Sequence, residues 1–576
     1  MNSNQNKLQL FEVPQIESIQ DMFLKSADKF SNKLAMEDLT NYPISKVTYS
    51  KLNEYIIKFG SSLQKLGIKP RDHIAVIGET RVQWAIAFLA GMMYDFVIVP
   101  VDKGLTPGDI LNIIHESDAT ALIFSGSLSD FIKEKKNILA KVKFYISMDL
   151  DRKQEDFYSM LELIKSEKSN GTNLPKINPD DVAEIIYTSG SLGRAKGVML
   201  TQKNLASNLV AMRQMITIYP EDRFLGVLPI HHTYQCTCGL LCPLYSGSSV
   251  HFARSLKTIP EDMAASKPTI LLGAPLLYNK MYSKIIKNIS AKKTTSILFN
   301  VMMNLSDLTK RFGWKNSKKV FFGKVHRTLG GSMRLLIAGG AAPDPKVSKF
   351  FRELGFNIIQ GYGLTETSPI LALNKIEYFK DDAAGLPLPG VEIIINQPDK
   401  NGVGEIIARG PSVMPGYYNN PSATKETFDN GWFKTGDLGY FDEEGFLFVC
   451  GRKKNVIIAN NGENVYPEEI EDILNRNQFV LESMVYGEED EKHNERIVAL
   501  IVPDTSAFIE YSNKNNVQIN PELIDNLISQ AVKETNKQLP AFKQIRNFYI
   551  HEHELEKTTT QKVKRYAVNV KERTIV

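Results

Sequence analysis

Cysteine is scarce in this chain, four among 576 residues, which excludes a disulfide framework and points to a reducing compartment, the cytoplasm. The stretch from Met1 to Phe30 (MNSNQNKLQLFEVPQ…) offers no apolar core after a basic start, so no secretory signal is expected there. Charge of one sign is also lacking in excess: 69 basic residues stand against 65 acidic ones, a net charge of +4. So small a surplus gives no basic field of the kind that nucleic acid requires, and no nucleic-acid partner is expected, although lysine clusters can act locally. The 37 glycines and 26 prolines show no collagen-type repeat, and short internal repeats and low-complexity tracts are missing. Long apolar runs are missing too. Val82 to Val101 (VQWAIAFLAGMMYDFVIVPV) approaches membrane-spanning length, but Asp95 and Pro100 interrupt it, and it reads as a core helix followed by a buried strand.

What is present is the composition of a large globular protein, 43% hydrophobic and 23% charged. At about 150 residues per domain, two to four packed units are expected. From His73 onward short apolar runs alternate with helical patterns: HIAVIG, VQWAIAFLAGMM, FVIVPV, TPGDILNIIHES with its Thr-Pro helix start, and ALIFS. Strands buried on both faces and separated by helices imply βαβ units and a parallel sheet. A basic insertion at about 280–330 carries the helical segment TTSILFNVMMNLSDLTKRF, read either as an amphipathic core helix with a solvated face or as a membrane-surface or acyl-chain contact. After Gly404 the texture changes to short strands and turns, followed by a helix start at Tyr466-Pro467-Glu468-Glu469. The fold class is therefore α/β: a large N-terminal domain, 1–451, of mainly parallel sheets layered with helices, and a small mobile α+β domain, 452–576, with a hinge near Lys454.

Several segments carry residues suited to chemistry. Tyr187 to Val198 (YTSGSLGRAKGV) follows the strand-like EIIY, and its hydroxyls, glycines and lysine can present N–H groups and a cation to phosphate oxygens. A polar surface turn is the alternative. It is not a Walker A loop, which needs Gly where Ala195 stands and Ser or Thr where Gly197 stands. Gly361-x-Gly363 is not a dinucleotide fingerprint, because Glu366 occupies the third glycine position. His231, His232, Cys236, Cys238 and Cys242 are metal-ligand types in a short span, but the spacing lacks a zinc knuckle, and the cysteines read as core or pocket-lining residues. Asp437 and Arg452, taken alone, read as a turn cap and a surface charge.

Read together and in order, these motifs resemble the adenylate-forming superfamily, and within it the long-chain fatty acyl-CoA synthetases. The loop resembles the signature Tyr-Thr-Ser-Gly-Thr-Thr-Gly-x-Pro-Lys-Gly-Val, departing at Ser191, Leu192 and Ala195. The resemblance implies that Thr188, Ser189, Gly190, Ser191, Gly193 and Lys196 cradle the phosphates of ATP. It implies an adenine pocket from Gly339, Gly340 and Ala341 with Gln360, Gly361, Tyr362 and Gly363, in which the Tyr362 ring packs on the base and Thr365 reaches phosphate. Mg²⁺ falls to Glu366 and Thr188, and the ribose to Asp437 and Arg452. Lys562, in KTTTQKVKR where relatives often have Gly in place of Gln561, contacts the carboxylate and α-phosphate. Lys454 is the hinge, followed by Asn455 where an acidic residue is usual. Gly462, Glu463 and Asn464 border CoA. His232 closes the acid pocket, shared with Tyr234, Gly239 and Gly273.

The reaction so implied is ATP-dependent activation of an acid to acyl-AMP and pyrophosphate, then transfer to CoA with release of AMP. Catalysis falls to Lys562, His232, Lys196 and Glu366. HTYQCTCGLL offers no carboxylate to hold an ammonium, which disfavours an amino acid, and the resemblance to long-chain fatty acyl-CoA synthetases implies a medium- or long-chain fatty acid. An acyl carrier protein in place of CoA, and a silent acyl- or nucleotide-binding homologue, are the competing readings. Peripheral membrane contact and an oligomer are left open.

Overall fold

Hydrophobic runs from His73 to Phe124 become the centre of a parallel sheet. His73–Ile77 lies between Val97–Val101 and Ala121–Phe124, parallel to both, and each strand is buried along nearly its whole length. The helix Val82–Met93 has all twelve residues buried, which is why the sequence reads as apolar all round. Thr106 caps the next helix, Pro107–Glu116, by accepting from the Asp109 N–H, as the Thr-Pro start indicates. The computed structural model describes residues 9–168, 174–188, 195–290, 293–311, 317–459, 462–489, 495–557, 563–565 and 568.

Two compact units result. The first comprises 1–392 and 408–433, the second 393–407 and 434–576. The first unit holds an eight-stranded and a nine-stranded sheet. In the nine-stranded sheet, Arg223–Gly226, Ile270–Gly273, Leu335–Ala338 and Asn357–Gly363 are consecutive parallel neighbours. Ligands of open α/β sheets bind outside the carboxyl ends of such strands. In the eight-stranded sheet the strand Val182–Thr188 pairs antiparallel with Lys196–Thr201, Thr188 facing Lys196. A strand, and not a helix, thus follows the polar segment. The run KGVMLT, rich in β-branched and apolar residues, returns as a strand, and the helix Gln202–Met215 starts only after it, with Thr201 and Asn204 in a capping box.

The second unit contains the strands Trp432–Phe441 and Leu447–Arg452, paired antiparallel. It also contains a three-stranded sheet of Val480–Glu489, Glu495–Pro503 and Asn547–Ile550. The helices Pro467–Leu474, Thr505–Asn515 and Pro521–Asn536 contribute Ile470, Phe508 and Ile528 to its own core.

Candidate active site

The four parallel strand ends bring the expected residues of the first unit together. Gly273 and Ala338 are register partners, as are Ala338 and Gln360, and the Gly339 N–H donates to the Gly273 carbonyl at 3.2 Å. Gly339 must lack a side chain, since a Cβ would lie 2.7 Å from the Tyr234 ring. Gly340, at φ +89°, and Ala341 stand exposed beyond the strand. Gly363 is forced by backbone: a Cβ there would lie 1.8 Å from the Pro369 carbonyl oxygen. Tyr362 pairs with Ala372 on the neighbouring antiparallel strand and keeps one side partly exposed. Gln360 is oriented differently from a ligand-facing residue. Its amide donates to the carbonyls of Asp381 (3.1 Å) and Ala383, so it anchors a loop.

Thr365 and Glu366 begin a short 3₁₀ turn after the strand, beside the strand that carries Lys196. Glu366 is not alone. The Tyr417 hydroxyl donates to its Oε1 at 3.0 Å, and the ring of Tyr417 lies 4.9 Å beneath the Lys196 ammonium. Tyr417 is placed by the two-residue strand Gly416–Tyr417, which pairs with Val198 and Met199, and by the Met414 N–H donating to the Glu366 carbonyl at 2.9 Å. One aromatic residue therefore joins the carboxylate to the cation through a hydrogen bond and a cation–π contact. The sequence reading overlooked it. The available signal was Gly416-Tyr417-Tyr418, an aromatic pair after a glycine in a turn-rich stretch.

The Thr233 hydroxyl donates to Thr365 Oγ1 at 3.3 Å and ties the histidine segment to this turn. The His231 and His232 rings are 4.5 Å apart, and His231 Nε2 is 3.5 Å from Asp102 Oδ2. Burial, reinforced by the neighbouring His231, pushes His232 down to about 3, so at neutral pH it is a neutral imidazole. Burial acts to raise Asp102, but the His231 hydrogen bond and charge, with the Gly104 N–H, outweigh it and hold the carboxyl below its usual range.

Behind these residues Tyr234–Leu241 forms a π-helix, a rare element that recurs at functional sites. It places Tyr234 and Cys238 on an apolar cavity with Gly339, Gly361, Met212 and Phe224, and no charged side chain lines it. Gly239 and Gly273 do not line it: Gln235 fills the space beside one, Leu277 and Tyr278 the space beside the other. Burial raises the thiols of Cys236 and Cys238 well above their usual range and that of Cys242 to about 11, so all three stay protonated core groups.

In the second unit Asp437 and Arg452 are register partners, with Arg452 Nε 2.9 Å from Asp437 Oδ1. The Asp437 N–H donates to Thr435 Oγ1 at 3.0 Å, and Arg452 Nη1 donates to the Thr435 carbonyl at 3.2 Å. Lys454 follows in a 3₁₀ turn, its pKa lowered by burial and by the charges of Arg452 and Arg565. Gly462 donates to the Ala459 carbonyl at 2.8 Å, Glu463 is ion-paired with Lys400, and Asn464 pairs with Ile458. Ser189, Gly190, Ser191, Gly193 and Lys562 lie outside the described residues. Among the described residues that flank Lys562 in sequence, Lys557 bridges to Val563 and is 2.9 Å from Glu482, and Arg565 is 2.5 Å from Glu471.

Strand ends with an exposed Gly340-Ala341 turn, a cation and a carboxylate joined through one tyrosine, and an apolar cavity suit an enzyme that handles a phosphorylated nucleotide and an apolar group. The chain belongs to the AMP-binding enzyme family, whose model matches residues 23–418, with the C-terminal domain of that family matching 469–562. It is 28% identical to a long-chain-fatty-acid–[acyl-carrier-protein] ligase of Arabidopsis thaliana, over 90% of this chain and 80% of that protein. It is 29% identical to the long-chain-fatty-acid–CoA ligase FadD15 of Mycobacterium bovis, over 91% and 90%. Among solved structures, ATP-bound MatB from Rhodopseudomonas palustris matches with a TM-score of 0.73 at 25% identity, covering 95% of this chain and 97% of that one. The anthranilate CoA ligase AuaEII matches in fold with a TM-score of 0.76 at 20% identity, covering 96% and 97%.

Proposed function

We propose that the chain is an AMP-forming acid–thiol ligase that activates a medium- or long-chain fatty acid and passes the acyl group to CoA. The observation that carries the choice of acid is the cavity walled by Tyr234, Cys238, Gly339 and Gly361. Its lining holds no charged group, so it offers apolar contacts to an alkyl chain and no counter-charge to an ammonium. In the first half-reaction a carboxylate oxygen of the acid bonds to the α-phosphorus of ATP and pyrophosphate leaves. In the second, the CoA sulfur bonds to the acyl carbon and AMP leaves.

Residues of the chain take distinct parts. Lys196, held over Tyr417, and Lys562 offset charge on the phosphates. His232, neutral at assay pH, orients the carboxylate without a competing charge, while Asp102 holds His231 beside it. Tyr362 offers a flat face to adenine, and Asp437 with Arg452 offers acceptor and donors to the ribose diol. The donor set at Glu366 fits Mg²⁺, which takes one or two carboxylates and fills its remaining positions with phosphate and water. Glu366, fixed through one oxygen by Tyr417, and the Thr188 hydroxyl would hold it. When bound, the ion neutralises charge on the departing pyrophosphate. Lys454 is the proposed pivot between 1–451 and 452–576, and Gly462, Glu463 and Asn464 the proposed border of CoA. An acyl carrier protein is the second reading of the acceptor, supported by the Arabidopsis relative. Cytoplasmic placement with peripheral membrane contact is part of the proposal. No helix among the described residues is long and apolar enough to cross a membrane.

AMP release from ATP across short, medium and long fatty acids, aryl acids and amino acids tests this. Preference for long fatty acids supports the proposal. Preference for an amino acid or an aryl acid overturns it.

A further inference from the structure

The helix Lys293–Arg311 has two apolar faces. One is accounted for: Phe299, Met302 and Met303 pack into the core of the first unit, with Phe299 5.3 Å from the Phe322 ring. The other is uncovered. Ile297, Leu298, Val301, Leu305 and Leu308 are 62%, 56%, 47%, 43% and 49% exposed. At 3.6 residues per turn these five fall within an arc of about 100°, and they extend along roughly 16 Å of helix. Single exposed hydrophobics are ordinary, but a continuous stripe on the outward face of a surface helix is the reverse of the usual pattern.

Charge identifies the occupant. Between Lys280 and Arg327 the sequence holds ten lysines and two arginines against one acidic residue, Asp307. That local excess exceeds the +4 of the whole chain, so the rest of the protein is net acidic. Lys284 and Lys287, on the helix Pro275–Ser290, and Lys319, on Ser317–Phe321, are exposed on helices packed against Lys293–Arg311. An apolar stripe on a helix flanked by helices with exposed cations matches a bilayer interface carrying anionic lipid: alkyl side chains suit the acyl boundary and ammonium groups the headgroups.

We propose that the outer face of Lys293–Arg311 docks the enzyme on anionic lipid bilayers, the phase into which a long-chain acid partitions. The benefit to turnover rests on the fatty-acid reading above; the docking itself does not. An acidic protein partner would use the cations but has less need of five uncovered alkyl groups.

Flotation of the full-length protein with vesicles of phosphatidylcholine, with and without phosphatidylglycerol, is measured in the absence of ATP and acid. The wild type is expected to bind the anionic vesicles at least about tenfold more strongly than the neutral ones, and Val301→Asp/Leu305→Asp to lose that binding. Lys284→Glu/Lys287→Glu/Lys319→Glu, which leaves the stripe intact, provides a second variant and is expected to abolish the lipid-charge preference. Failure of the wild type to bind anionic vesicles overturns the docking proposal, whatever the acid specificity. So does equal binding by wild type and both variants. Loss of carrier-protein-dependent turnover in the lysine variant without vesicle binding by the wild type assigns the surface to a protein instead. Turnover of a water-soluble short acid is expected to be unchanged in both variants, which separates loss of docking from loss of the enzyme.

Discussion

Tyr417→Phe isolates the bond that couples Glu366 to Lys196. The substitution deletes the hydroxyl that donates to Glu366 Oε1 at 3.0 Å and keeps the ring 4.9 Å beneath the Lys196 ammonium. A hydrogen bond to a charged group contributes about 1.5–3 kcal/mol, and the lower end suits a carboxylate that is partly exposed. About 1.5 kcal/mol corresponds to roughly a twelvefold loss in rate. Because the bond fixes the proposed metal carboxylate, the loss is expected in kcat/KM for ATP and in the Mg²⁺ concentration for half-maximal rate, with KM for the acid unchanged. Tyr417→Leu also removes the ring, adding about 0.5–1 kcal/mol, or roughly a further threefold. Pyrophosphate release across a Mg²⁺ titration measures both. A Phe variant equal to wild type at every Mg²⁺ concentration would refute the reasoning, as would a Leu variant no worse than the Phe one.

Three further outcomes are expected. Glu184 is wholly buried, and desolvation raises its carboxyl from 4.5 to about 8. Below 4.5 both folded and unfolded states hold the proton; between 4.5 and 8 only the folded state does, so stability falls as pH rises through that window. Glu184→Gln is then expected to gain on wild type by about 1.4 kcal/mol per pH unit, near 3 kcal/mol at pH 7, and thermal midpoints that keep a constant gap from pH 5 to 8 contradict this. Lys562→Ala is expected to lose most adenylate formation while ATP binding by calorimetry is largely retained; unchanged turnover removes that lysine from the mechanism. Lys454→Pro is expected to spare adenylate formation and impair thioester formation, and equal loss of both half-reactions argues against a pivot there.

Local pattern carried the N-terminal architecture, because strands such as VIVPV are buried on both faces and the Thr106 cap is written in three residues. The Asp437–Arg452 pair was legible for a similar reason: both residues stand in short motifs, and the hairpin sets them opposite one another. Tyr417 was not, because its part arises from pairing with Val198, more than 200 residues earlier, and from a hydroxyl direction that spacing does not encode. Gln360 shows the opposite case. It sits in the most recognisable motif, yet its side chain is committed to two carbonyls of a loop that only the tertiary fold brings near. The return strand Lys196–Thr201 was hidden by the strong helix signal after it, and the π-helix Tyr234–Leu241 by a segment whose apolar pattern fits several helical forms.

The most direct test of the central claim is product analysis after incubation of the protein with ATP, Mg²⁺ and a long-chain fatty acid, with and without CoA. The account predicts acyl-adenylate and pyrophosphate without CoA, and acyl-CoA and AMP in equal amounts with it. Acyl-adenylate that CoA leaves untouched would contradict CoA as the acceptor and shift the assignment to a carrier protein; no acid-dependent pyrophosphate at all would contradict the ligase reading itself.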